Sequence, residues 1–231
     1  MKYADKESYR FTKDEYRRKQ EEIFAMDDAG LDMAVRNKNP FVRAIVAERG
    51  RDKDLNVLVH DPEYEVRMAV AAHNRDKDLD ILVNDDCFEV RTEVAKHGRD
   101  KDLDKLIQDP EYETRIEVAK HKRDKDLDML VHDRNEFVRA EVAKAGRDKD
   151  LDRLVHDKSE TVRCEVAMYG RSKDLQTLEN DDSEQIRDAV RLSRKNKTVL
   201  SEDRNHVISA SEPGVTDSAG PASFASDGFD L

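Results

Sequence analysis

Residues 123–146 read "RDKDLDMLVHDRNEFVRAEVAKAG", and the first half of that phrase returns as "RDKDLDRLVHD" at Arg147, "RDKDLDKLIQD" at Arg99, "RDKDLDILVND" at Arg75 and "RDKDLNVLVHD" at Arg51. The period is 24 residues, and it divides the chain into seven units: 27–50, 51–74, 75–98, 99–122, 123–146, 147–170 and 171–194. Leu31, Leu55, Leu79, Leu103, Leu127, Leu151 and Leu175 share one position of the unit; Val46, Val70, Val94, Val118, Val142, Val166 and Val190 share another. A fixed period of this length is the mark of a repeat array, in which each unit buries its apolar stripe against its neighbours.

Within 123–146, Leu127, Leu130 and Val131 fall at i, i+3 and i+4, the stripe of a short amphipathic helix, and Val138, Val142 and Ala145 mark a second helix. Asp133 with Glu136, Asp157 with Glu160 and Asp181 with Glu184 have capping-box spacing ahead of the second stripe. Pro62 and Pro110 suit a first helical position, where a missing N–H goes unnoticed. Gly50, Gly98, Gly146 and Gly170 stand where a left-handed C-cap would end the second helix. "RDKD" is then the link between pairs, its aspartates being candidate caps. Neither helix is long enough to hold in water alone.

Composition points the same way. Only 37% of the 231 residues are hydrophobic, 41% are charged and tryptophan is absent, which is too polar for one globular core but enough for a thin core shared along an array. The net charge of −11 argues against general affinity for nucleic acid or anionic membrane and makes a basic partner easier to accommodate. Cys87 and Cys164 lie about three units apart, too far for a disulfide on a rigid array. They are read as reduced thiols, and with no long apolar run the expected location is the cytoplasm.

The "D-x-x-x-x-V-R" of Asp61 to Arg67 and Asp133 to Arg139 resembles the HEAT-repeat signature, with its arginine recurring as Arg43, Arg67, Arg91, Arg115, Arg139, Arg163 and Arg187. With "VRxEVAKxGRDKDLDxLVHD" and the short period, residues 27–194 look most like the leucine-rich repeat variant family. That resemblance implies an all-α, right-handed α-solenoid and is specific for fold, not for function; the array of seven helix pairs is itself read as a protein–protein interaction scaffold. Some family members carry a cysteine-ligated iron–sulfur domain ahead of the repeats. Here the first 86 residues contain no cysteine, so no cofactor is carried over.

The flanks depart from the period. In 1–26, Thr12 with Glu15 makes a capping box and Phe11 with Tyr16 has hydrophobic-staple spacing, predicting a capping helix that ends near Ile23 and Phe24. Residues 195–231, ending in "SASEPGVTDSAGPASFASDGFDL", are expected to form a disordered tail.

Several constellations invite chemistry. Asp76, Asp78 and Asp80 match the first ligand positions of a calcium loop, and Asp100 finds Glu111 at the twelfth, but Ile81 or Lys105 replaces the required glycine. No metal site is expected. Histidines 73, 97 and 121, and the pair His132 and His156, recur at unit spacing, too far apart to share a metal, and read as polar edge residues. No nucleophile elbow, phosphate loop or close Cys/His pairing is present, so catalysis is not expected. The arginine row is read as an internal ion-pair ladder with Asp61, Asp85, Asp109, Asp133, Asp157 and Asp181. Its alternative is a nucleic-acid stripe, as in HEAT-like base-processing proteins.

Identity in every unit serves the fold, so a binding surface is sought where units differ. Tyr64, Phe88 and Tyr112 form an aromatic row confined to three adjacent units, flanked by Glu63, Glu65, Glu89, Glu111 and Glu113. The plainer reading has the carboxylates complementing helix dipoles and the rings packing between units. The functional reading is a patch for an Arg- or Lys-bearing protein partner.

Overall fold

The structure is a computed structural model and describes residues 12–209, with side-chain surroundings through residue 196. Among these residues there are fifteen helices and no strand. A leading helix, α1 (Lys13–Phe24), precedes α2 (Asp28–Ala34) with α3 (Pro40–Arg49), α4 (Asp52–Leu58) with α5 (Tyr64–Ala71), and α6 (Asp76–Leu82) with α7 (Phe88–Lys96). The pairs continue as α8 (Asp100–Leu106) with α9 (Tyr112–Lys120), α10 (Asp124–Leu130) with α11 (Glu136–Ala145), α12 (Asp148–Leu154) with α13 (Glu160–Tyr169), and α14 (Ser172–Leu178) with α15 (Glu184–Ser209). The seven units of the sequence are seven helix pairs in a helical solenoid.

Each second helix packs on the next, from α3 through to α15, while each first helix from α4 to α12 wedges between two consecutive second helices. The first helices span only seven residues, below the length at which helix propagation repays its nucleus, so their stability comes from burial. The periodic leucines and valines supply it: Leu55, Leu79, Leu103 and Leu151, with Val70, Val94, Val118 and Val142, are wholly excluded from solvent. Each such leucine contributes about 1.5–3 kcal/mol of transfer free energy.

Two arginine rows stitch neighbouring units together. Arg43, Arg67, Arg91, Arg115, Arg139 and Arg163 each form a bidentate pair with the aspartate 18 residues ahead, in the next unit; Arg115 reaches Asp133 through Nε at 2.7 Å and Nη2 at 2.8 Å. The same guanidinium donates backward through Nη1 to a carbonyl of its own unit, that of Asn37 for Arg43 and that of the unit's aspartate for the others, as Arg115 does to Asp109 at 2.6 Å. The second row comes from "RDKD". Arg123 grips Asp126 and reaches back one unit to Asp100 at 2.9 Å and Asp104 at 2.8 Å. Lys125 joins it on Asp104 at 2.6 Å.

The ladder reading of the first row therefore holds. The aspartates of "RDKD", however, are not caps. The N-cap residue is the arginine itself, without a side-chain cap bond, and the second aspartate, such as Asp126, is buried against that arginine's fork. The capping boxes are likewise displaced. Asp133 accepts from the N–H of Asn135 at 2.8 Å and from Arg115, and Asn135 is the N-cap of α11; Asp157 does the same for Ser159. Pro62 and Pro110 lie one residue before the N-caps Glu63 and Glu111, so they shape the turn rather than open the helix.

The glycine caps are confirmed, with φ between +72° and +85° at Gly50, Gly98, Gly146 and Gly170; Asn74 and Lys122 hold the same left-handed conformation at the ends of the second and fourth units, and the seventh unit runs on in α15.

At the N-terminal end, Thr12 and Glu15 form the capping box. The helix packs on α3, where the Tyr16 hydroxyl donates to Glu48 and Arg49 donates to the carbonyls of Ile23 and Phe24. The Phe11–Tyr16 staple lies outside the described residues. At the other end α15 runs through Ser209, so residues 195–209, assigned above to the tail, are helical: no Gly or Pro interrupts the sequence between Gly170 and Pro213. The rest of that tail lies outside the described residues.

Candidate functional site

The aromatic row is set by the first ladder. Asp61, Asp85 and Asp109, already fixed by Arg43, Arg67 and Arg91, accept from the backbone N–H of Glu63, Cys87 and Glu111 at 3.0, 2.9 and 3.0 Å. Those three residues are the extended N-caps of α5, α7 and α9, and the next residue in each case is Tyr64, Phe88 or Tyr112. Each ring thus leaves the first turn of its helix from a backbone held by an inter-unit ion pair.

All three rings are half-buried. Tyr64 and Tyr112 pack their bodies against the core, and Tyr112 also meets Phe137, with ring centroids 6.0 Å apart. Phe137 was missed by the sequence reading because it stands one position later in its unit than Tyr112 does in its own. Half of its surface, 49%, remains exposed, and it extends the row into a fourth unit.

The carboxylates split between two sides. Glu63 and Tyr64 line an open cleft of about 700 Å³ with His60, Asp86 and Cys87, at the turn edge between the second and third units. Glu65 instead faces the outer surface of the second helices, beside Met68 and Glu93. Glu89 accepts from the Cys87 thiol at 2.6 Å; Glu111 is exposed and Glu113 half-buried. Burial, followed by the charges of Glu65 and Glu89, raises the Tyr64 hydroxyl above the ordinary tyrosine value. A hydrogen bond to Glu113 and then its charge do the same for Tyr112. Both phenols are neutral donors in an acidic setting at neutral pH.

Most of the remaining groups are engaged within the fold. The ladder arginines are buried or half-buried and engaged by carboxylates; Arg115 and Arg139 are the most deeply placed. Of the aspartates at calcium-loop spacing, Asp78 is buried against Arg75, Asp76 pairs with Arg99 and Asp80 with Arg99 and Lys101. Among the described residues no group of three or more His, Cys, Asp or Glu side chains is arranged to hold a metal ion. His73 and His121 bond through Nε2 to the carbonyls of Ala47 and Ala95, at 2.7 Å in both cases; His132 and His156 are exposed. Both cysteines are free, and burial raises each thiol above its usual value. No helix among the described residues is long and apolar enough to cross a membrane.

No protein-family model matches the chain, and no curated protein matches it either. Solved structures do. The chain is similar to a leucine-rich repeat variant with a novel repetitive structural motif, at 26% identity and a TM-score of 0.64, over 74% of this chain and 73% of that one. Looser likenesses are to the Escherichia coli protein YibA (20% identity, TM-score 0.38, 83% and 79% of the two chains) and to a designed armadillo repeat protein in complex with the peptide (KR)4 (16% identity, TM-score 0.27, 78% and 98%). The fold is that of the leucine-rich-repeat-variant type of α-solenoid.

Proposed function

We propose that this protein is an interaction scaffold that presents Tyr64, Phe88 and Tyr112, with Glu63, Glu65, Glu89, Glu111 and Glu113, to a basic segment of another protein. The observation that carries the reading is the row itself: three half-buried rings on adjacent helix N-termini, each anchored by a ladder aspartate and each accompanied by carboxylates. Rings held this way give up little entropy on binding, and carboxylates beside them attract guanidinium and ammonium groups. The nucleic-acid alternative loses its main support, because six of the seven arginines that would meet phosphate are already engaged by aspartates, Arg187 being bonded to backbone carbonyls instead. The test is titration of a labelled Lys/Arg-rich peptide and of single-stranded DNA into the full chain. The peptide should bind, Tyr112→Ala should weaken it by about tenfold with only a small drop in melting temperature, and added salt should slow association. Preference for DNA would sink the proposal.

A further inference from the structure

The outer surface of the second helices is not uniform. On α7, α9 and α11 it carries a glutamate followed three residues later by a lysine, paired as Glu93–Lys96 at 2.7 Å, Glu117–Lys120 at 2.7 Å and Glu141–Lys144 at 3.3 Å. On α5 both members of that pair are replaced, by Ala69 and Ala72. The loss of two long side chains opens a groove of about 480 Å³. Its floor is apolar: Phe41 and Ala44 from α3, and Met68, Ala69 and Ala72 from α5.

The rim is acidic, formed by Glu48, Glu65 and Glu93. Among the described residues Glu93 alone of the three is paired with a cation. Glu48 is held by neutral donors, the Tyr16 hydroxyl and the Gln20 amide at 2.8 Å. Replacing a Glu–Lys pair by alanines bares carbon without changing the net charge, so an apolar floor lies inside a rim that remains acidic.

From this juxtaposition we infer that the groove over α3, α5 and α7 is a docking site for a segment of another protein in which one or two large apolar side chains are flanked by lysine or arginine. The apolar side chains fill the space that the glutamate and lysine occupy in later units, and the cations reach Glu48 and Glu65. Charge complementarity selects this occupant over the chain's own C-terminal stretch, whose Phe224, Phe229 and Leu231 are interspersed with Asp227 and Asp230. The inference rests on the scaffold reading but not on the aromatic row.

The test uses the full chain and three labelled synthetic peptides: one with leucine and phenylalanine among lysines and arginines, one with the same apolar residues among glutamates, and one with the same cations and serine in the apolar places. The three are compared in the Tyr112→Ala background, where the aromatic row is disabled, and there only the first should bind tightly. The double substitution Ala69→Glu with Ala72→Lys, which restores the pair found on α7, α9 and α11, should weaken that binding by about tenfold or more while the melting temperature holds. Tyr112→Ala should leave it unchanged, so this site and the aromatic row can fail separately. Equal binding of the acidic or serine peptide, no binding of any, or indifference to the double substitution would overturn the inference. So would a photo-crosslinking side chain at position 72 that attaches to residues 1–11 or 210–231 of its own chain.

Discussion

The junction between the third and fourth units and the one between the fourth and fifth share a backbone and both arginine rows, yet they are filled differently. In the first, Gly98 ends α7 and the His121 ring of the next unit lies over it, close enough that an added Cβ would stand 2.6 Å from Cε1. In the second, Lys122 takes the glycine's place at φ +55° and the following unit offers only Ala145. The same coupling recurs along the chain. Gly50 is covered by His73 and Gly146 by Tyr169. Where Asn74 replaces the glycine, His97 sits with its buried Nε2 unpartnered, although His73 and His121 each reach a carbonyl of the preceding unit. At Gly50, Gly98 and Gly146 the missing Cβ is thus the socket for a ring in the next unit, whereas Gly170 is followed by Ser193 at that position; the charge ladders run through every junction regardless.

If the ladders are what all junctions share, removing a rung should cost most. Arg115 and Asp133 have side chains only 5% and 8% exposed, and Asp133 also fixes the turn into α11 through Asn135. Arg115→Ala strands that carboxylate at a cost of about 3–5 kcal/mol. Chemical denaturation should show a drop of that size against a negligible one for the exposed Lys105→Ala. Equal effects would mean that the rung contributes nothing the packed leucines do not already supply.

The glycine socket comes next. Gly98→Ala must hold a left-handed alanine, at about 1–2 kcal/mol, and push His121 off its bond to Ala95, at about 0.5–1.5 kcal/mol more. In a His121→Ala background only the first part should remain. A double-mutant cycle therefore checks the coupling, and strict additivity of the two substitutions would show that ring and glycine are independent.

Repairing a socket should give a smaller change of opposite sign. Asn74→Gly frees the space beside His97 and lets its Nε2 reach the preceding unit as His73 and His121 do, for a gain of about 1 kcal/mol. The gain should disappear with His97→Ala. Persistence there would assign it to backbone freedom alone.

The comparison also separates what could be read from the sequence and what could not. The period, the helix pairs, the buried leucine and valine rows and the Arg–Asp ladder follow from identical residues at identical positions, because packing repeats when the unit repeats. The roles of Asp126, Asp133 and Pro62 did not follow. Local spacing assigned the first two to helix caps and the third to a first helical turn, whereas an arginine three residues before Asp126, or 18 before Asp133, claims the carboxylate first. A charge-assisted bidentate bond outweighs a single cap bond, and sequence spacing within one unit cannot reveal a partner in another. The glycine–ring coupling was hidden for the same reason. For the site, the aromatic row was legible as a departure from the repeat, but Phe137 was not, since it occupies a shifted position. The groove over α5 was legible in principle as the one unit from the second to the fifth with Ala–Ala in place of Glu–Lys.

The smallest effect concerns the outer edge of the second arginine row. Asp32, Asp80, Asp104, Asp128 and Asp152 are exposed and each accepts from a lysine and an arginine of the following unit; Asn56 breaks the series and leaves Lys77 and Arg75 without that carboxylate. The lysine hydrogen bond, and then the arginine, hold all five carboxyls below the ordinary aspartate value. A folded-state pKa lower than the unfolded one means that the contribution to stability is fully present above about pH 4 and lost as pH falls through the folded values. Asn56→Asp completes the row, so it should raise the melting temperature slightly at neutral pH and low salt. Because the pair is exposed, the increment should vanish near 1 M salt, where the screening length is about 3 Å, and again in acid. An increment that survives both conditions would have to come from something other than charge, and the lateral carboxylate row would then be a by-product of the repeat rather than a contributor to it.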